Sequence, residues 1–255
     1  MFDPKEVGIC RLGAMVLFAA PLLVSAAGRE SQDSSSALLR AADAPRHVLS
    51  EGVMRVRAVV QHEEEITRTT LDVYVRSPDR ALCVFRDGKL KGRRVLMTDQ
   101  RVWLLLPDTT HPIRVSPNQR LFGGASIGDV ARLRFADEFT ARPETTEEVV
   151  DGVPCDVVTL SGRRGSAYGS GTLWLGTEDG LPRRAVLSLP SGKAAKDLRF
   201  TAYGVENGRT VLRRLEIHHL LPSERATVTT LEFTAYEQKS LPENLFDPKH
   251  ARILP

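Results

Sequence analysis

From Val53 the chain alternates with a period of two. Met54, Val56, Ala58 and Val60 face one way and Arg55, Arg57 and Val59 the other, the pattern of a half-buried strand. Glu63-Glu64-Glu65 reads as a solvated turn, and Ile66 to Arg76 as a second strand with Thr67, Thr69, Leu71, Val73 and Val75 on one side. Turn signals then recur at short intervals. Ser77-Pro78, Asp87-Gly88 and Asp99-Gln100 separate the runs Ala81 to Arg86, Arg94 to Thr98 and Arg101 to Pro107. Asp151-Gly152 divides Glu147–Val150 from Pro154–Leu160, and Glu178-Asp179-Gly180 divides Thr172–Gly176 from Arg183–Leu189. Asn207-Gly208 divides Asp197–Val205 from Thr210–Leu221, and a last run spans Ala226 to Tyr236. Asp-Gly and Asn-Gly between alternating runs are strong local hairpin signals.

Arg101–Pro107 departs from simple alternation. Val102, Leu104 and Leu106 fall on one side and Trp103 and Leu105 on the other, so this strand needs cover on both faces. Beyond it, Leu121, Phe122, Ile127, Val130, Leu133 and Phe135 form an apolar stripe near helical spacing. Ser126 and Asp129, three residues apart, suit the N-cap and capping-box positions of that helix. The pattern predicts ten or eleven strands joined by tight turns, with little helix. The expected fold is mainly β: a single curved antiparallel sheet forming an incomplete, half-open β-barrel with a few short lid helices. No alternation of strand with long helix supports a doubly wound fold, and no fixed period supports a propeller.

The inner face of such a sheet would be lined by Met54, Val56, Leu104, Leu106, Leu173, Leu175, Leu187, Leu189, Leu215, Ile217, Leu231 and Phe233. Leu121, Phe122, Ile127 and Val130 would cover it from the lid. Burying each such side chain is worth roughly 1.5–3 kcal/mol, so the face cannot be left to water. Either the short helices fill it as a plain core or they leave room for acyl chains.

The ends add a destination. Lys5 and Arg11 precede an apolar run from Leu12 to Val24, followed by the small residues Ser25-Ala26-Ala27. That order is expected of a cleavable export signal over residues 1–27, too short for a comfortable membrane span. Residues 28–52 then read as a loose, Ser-rich segment with a short helix from Ser36 to Asp43, and 53–255 as the open-barrel domain. Cys10 precedes the apolar run and cannot carry a lipoprotein's lipid. Export would leave Cys83 and Cys155 where a disulfide can form, with buried free thiols the equal alternative. The formal net charge of +3 has no basic block behind it and excludes a nucleic-acid footprint.

Catalytic motifs are weak. Gly124-Ala125-Ser126-Ile127-Gly128 matches the nucleophile elbow of serine hydrolases, which works only on a sharp strand-to-helix turn over an α/β sheet. His218 and His219, adjacent in a strand, point to opposite faces and cannot share one ion; no metal site and no cofactor is expected. Gly162 to Gly171 lacks the ending of a phosphate loop and reads as a long hairpin connection.

In order along the chain, Trp103-Leu104-Leu105-Leu106-Pro107, Pro112-Ile113-Arg114, Leu121 to Asp129, Asp151 to Val158, Leu173-Trp174-Leu175, Leu181-Pro182-Arg183 and Leu241 to Phe246 resemble the periplasmic LolA-like family, the outer-membrane lipoprotein-sorting proteins. Gly124-Ala125 departs from the larger polar or aromatic stretch usual there. The resemblance implies a LolA/LolB-like incomplete barrel, monomeric and non-catalytic, in the periplasm of a Gram-negative bacterium. It implies a carrier that shields the acyl chains of a lipoprotein or other lipid between membranes. Its partners would be an inner-membrane exporter and an outer-membrane acceptor. The alternatives are a structural envelope protein with a filled core and a secreted hydrolase using Ser126.

Overall fold

The computed structural model describes residues 26–98, 101–109, 111–116, 120–122, 125–126, 134–222 and 227–251, with side chains from residue 34 and none for 120–126. Its strands are β1 (Glu51–His62), β2 (Glu65–Arg76), β3 (Arg80–Phe85), β4 (Arg94–Thr98), β5 (Arg101–Leu105) and β6 (Ile113–Val115). A two-stranded ribbon, β7 (Arg120–Phe122) with β8 (Ala125–Ser126), follows. Then come β9 (Phe139–Val150), β10 (Val153–Gly162), β11 (Ser170–Gly176), β12 (Pro182–Ser188), β13 (Ala194–Glu206), β14 (Arg209–His219) and β15 (Thr227–Gln238). The helix α1 (Ala26–Asp43) precedes β1, and the helix α2 (Phe135–Glu138) lies between β8 and β9.

Thirteen strands make one antiparallel sheet, ordered β6-β5-β4-β3-β2-β1-β15-β14-β13-β12-β11-β10-β9. Each half is a meander; the pairing of β1 with β15 joins the first strand to the last. The sheet is not closed, because β6 and β9 stand at opposite edges. Register shifts at Arg55/Val56, Asp156/Val158, Trp174/Leu175, Leu187/Ser188 and Phe200/Ala202 put bulges into five of the ladders. Bulges increase local twist and bend, which is how a sheet this wide curls. The hairpin turns keep the predicted chemistry. Asp151 and Gly152 have φ of 49° and 81°, and Asn207 and Gly208 have φ of 50° and 75°, the doubly left-handed turn that Asp-Gly and Asn-Gly favour.

The convex face is held by charge. Asp72 accepts from Arg55 at 3.2 Å and Arg86 at 2.8 Å, and Glu232 from Arg57 at 3.1 Å and Arg214 at 2.7 Å. Asp197 takes Arg184 in a two-point fork at 2.9 Å for each bond, with Arg199 at 3.5 Å. Such planar bidentate pairing is what arginine does best.

One expectation changes. The Ser-rich stretch is not loose: α1 runs unbroken from Ala26 to Asp43 and carries Ser34, Ser35 and Ser36 within it. Serine is a poor helix former, but Leu39 and Ala42, 0% and 1% exposed, dock on the sheet, and packing decides where propensity is weak. β5 is apolar on both faces, as its pattern predicts. Val102 and Leu104 face the concave core while Trp103 and Leu105 join a separate cluster on the other side. That outer cover comes from the far end of the chain, Leu241, Leu245, Phe246 and Ala251. Arg76 holds this segment in place, bonded to Glu51 at 2.7 Å, to Glu243 and to the Leu241 carbonyl, with its guanidinium 5.2 Å from the Phe246 ring centre.

Candidate functional site: the concave face

Met54, Val56, Leu173, Leu175, Leu187, Leu215, Ile217, Leu231 and Phe233 all meet in one continuous cluster on the concave face. Alternation along each strand and register between strands put them there. Val56 pairs with Leu71 and Phe233, Leu215 with Leu231, and Leu173 with Ala185. Leu104 packs half-buried against this cluster, whereas Leu106 and Leu189 follow the ends of β5 and β12, half-buried and outside it. Leu121 and Phe122 lie on β7, and Ser126 closes β8 opposite Arg120. Ile127, Asp129 and Val130, with the helix expected there, lie outside the described residues.

Sequence reasoning omitted much of the same face. Leu71, Val73, Val95, Val102, Val158, Leu160, Leu198 and Phe200 belong to it, carried by the same alternation one strand further along. It also omitted the latch beneath. Asp43, the last residue of α1, accepts the backbone N–H of Phe135 and of Ala136 at 2.9 Å each. It also pairs with Arg46 at 3.3 Å. One carboxylate therefore caps α2 and ties it to α1 across ninety residues of sequence. Burial pushes the Asp43 carboxyl above its ordinary value, against the pull of Arg46 and the two N–H groups. Arg46 lies over the rings of Phe135 and Phe200, 5.3 and 5.9 Å from their centres. Phe135 meets Phe139 and Phe200 at 6.3 and 6.4 Å between centroids. The two helices thus close part of the concave face with aromatic rings held by one ion pair. Nothing in the sequence near Asp43 announces a partner so distant.

Cys83 and Cys155 are both free and buried, Cys83 in the concave cluster and Cys155 with Val157 and Trp174 on the opposite face. The structure corrects the disulfide alternative: strand alternation turns the two thiols to opposite sides of the sheet. Burial raises the Cys83 thiol to about 12 and raises Cys155 as well. His219 is buried on the concave side, and His218 lies 3.6 Å from Glu216. Among the described residues no group of three or more His, Cys, Asp and Glu is placed to hold a metal ion. Among them, too, no helix is long and apolar enough to cross a membrane. Ser126 ends a short antiparallel ribbon, and the main sheet is antiparallel, so the setting of a nucleophile elbow is not present before it.

A family model described as "-like: Uncharacterized protein" matches residues 77–251. In structure, a LolA superfamily protein from Nitrosomonas europaea aligns with a TM-score of 0.73 at 23% identity, over 83% of this chain and 96% of that one. The chain belongs to the family that this model describes, and it has the LolA-like fold. A DUF1329 family protein from Desulfovibrio piger gives a TM-score of 0.73 at 17% identity, over 85% and 97% of the two chains. A domain assigned to the outer membrane lipoprotein-sorting proteins, from Vibrio parahaemolyticus, gives 0.73 at 14% identity, over 87% and 99%. At such identities the shared property is the LolA-like fold itself. No curated protein matches the sequence.

Proposed function

We propose that this LolA-like chain is a periplasmic carrier that takes the acyl chains of a lipoprotein or another lipid onto its concave face and releases them at a second membrane. The observation that carries this reading is the face itself. A sheet wide enough to curl presents an unbroken run of Leu, Ile, Val and Phe inward, stays open at both edges, and is covered by helices tied down through one carboxylate. Parting α1 from α2 would admit chains, and burial of apolar surface would hold them without covalent chemistry. The apolar run from Leu12 to Val24 supports export, an inner-membrane exporter would load the carrier, and an outer-membrane acceptor would unload it. The Vibrio parahaemolyticus domain, assigned to lipoprotein sorting, adds support through its fold.

A second reading has its own observation. Val56, Leu173, Leu187, Leu215, Ile217 and Leu231 are at most 1% exposed, as in a core that is already filled. In that case the protein is a structural or interaction module of the envelope. Leu104→Glu separates the two, because Leu104 is only half-buried and its replacement spares the deepest packing. The carrier reading expects the variant to lose binding of a dansyl-labelled undecanoate while its circular dichroism stays that of the parent. Full binding by the folded variant contradicts it.

A further inference from the structure

On the outward side of the sheet, carboxylates are shared between pairs of arginines. Asp72 lies between Arg55 and Arg86, Glu232 between Arg57 and Arg214, and Asp197 between Arg184 and Arg199. Register sets these triplets in one row. Arg184 stands opposite Arg199, Arg214 opposite Glu232, Glu232 opposite Arg57, and Arg55 opposite Asp72. The row crosses the neighbouring strands from β12 to β3, roughly 30 Å at about 4.8 Å per strand.

The carboxylates lie deep and the arginines shallow. The side chains of Asp72 and Asp197 are 10% and 7% exposed, against 60%, 58%, 40% and 47% for Arg55, Arg57, Arg199 and Arg214. Among the described residues each of these four arginines gives one hydrogen bond to its carboxylate, which leaves most of its N–H donors to whatever lies outside. Arg68 adds an exposed guanidinium on β2, and Glu216, opposite Arg199, faces His218 at 3.6 Å. Arg184 and Arg199, directly opposite each other, are a like-charged cross-strand pair of the kind that costs stability, and Asp197 meets them only from beneath. The face offered to a partner is therefore cationic, with two arginines for every carboxylate of the triplets.

Resting on the carrier reading, which requires visits to two membranes, we propose that this convex arginine row docks the protein on an anionic phospholipid surface. The lipid phosphates meet the guanidiniums, while the concave face on the other side of the sheet keeps its cargo. Guanidinium and phosphate form the strong, charge-assisted class of hydrogen bond. A lipid surface offers many identical anions that shift sideways to match the row. A folded acidic partner would need its carboxylates fixed at the same spacing.

The test sediments the protein, recovered from a bacterial periplasm, with vesicles of phosphatidylcholine alone or with about one third phosphatidylglycerol, in about 0.1 M and about 1 M salt. The parent is expected to bind the anionic vesicles in low salt, to leave them in high salt, and to ignore phosphatidylcholine. Arg55→Gln, Arg57→Gln and Arg199→Gln, combined, leave every carboxylate one arginine. They should weaken binding about fivefold each and about a hundredfold together. The corresponding lysine triple should keep most of the binding, because it keeps the charge. Arg142→Gln, on β9 away from the row, should stay within about twofold of the parent. Should the glutamine triple lose the parent's circular dichroism, Arg57→Gln alone reads the fivefold loss. Equal binding of the parent to both vesicles, a glutamine triple that binds as the parent does, or an equal loss in Arg142→Gln overturns the row as a membrane contact. So does a parent that ignores anionic vesicles but binds polyglutamate through these arginines, which assigns the row to an acidic protein. Each of these leaves the carrier reading standing so long as the parent binds dansyl-labelled undecanoate; a parent that binds none fails the carrier reading itself.

Discussion

Replacing Asp43 by Ala should loosen the helical cover more than any other single change outside the sheet. The substitution removes the acceptor of the Phe135 and Ala136 N–H groups and the partner of Arg46. Loss of the cap alone costs about 1 kcal/mol. Removing the carboxylate paired with the Arg46 guanidinium, whose side chain is 8% exposed, adds about 3 kcal/mol, the low end for a broken buried pair, because the Phe135 and Phe200 rings still lie beneath it. The total, about 4 kcal/mol, corresponds to a fall in Tm of roughly 8–16 °C for a domain of this size. Asp43→Asn keeps an amide oxygen for one of the two N–H groups and should cost about half as much. Urea titration followed by circular dichroism measures both. The pH dependence has a defined sign. Because burial raises the folded carboxyl above 3.8, the stability it contributes is full below that value and is lost as pH rises through the folded one. The parent's margin over Asp43→Asn should therefore shrink from pH 3 upward. An Asp43→Ala protein within about 0.5 kcal/mol of the parent refutes the latch.

Three further outcomes are expected. Arg76 and the Leu241 N–H hold the Glu51 carboxyl below 4.5, and Arg80 and Arg76 do the same for Glu243, so the stability these give is present above pH 4.5 and lost as pH falls. Trp103 fluorescence in a Trp174→Phe background should report release of the closing segment on acidification, and a signal flat from pH 6 to 3 excludes it. Phe246→Ala should cost about 3–5 kcal/mol, since the ring fills the outer cover of β5 and seats the Arg76 guanidinium; a urea midpoint unchanged from the parent's would show the cover to be dispensable. Cys83 and Cys155 should resist a thiol reagent in the native protein and react together only on unfolding, because burial keeps both protonated; rapid native labelling of either contradicts their placement.

How much was readable in the sequence follows from the range of each interaction. Hairpins are local, so Asp151-Gly152 and Asn207-Gly208 located their turns, and alternation located the inward leucines and valines. The double-sided character of β5 was readable too, but its outer cover was not, because Leu245 and Phe246 arrive from the other end of the chain. α1 was underestimated since serine propensity is local evidence against a helix that tertiary packing overrides. β9 was seen only in its last residues: Phe139 to Glu144 mixes Pro143 with polar positions, an edge-strand composition with little alternation.

The most direct test of the carrier account is native mass spectrometry of the full chain expressed in a Gram-negative host and recovered gently from its periplasm. The account predicts a population carrying an extra mass that fragments to a fatty acyl chain and exchanges with added oleoyl lipids. A single apo mass, unchanged after incubation with lipids and lipopeptides, contradicts it and makes the concave face a filled structural core.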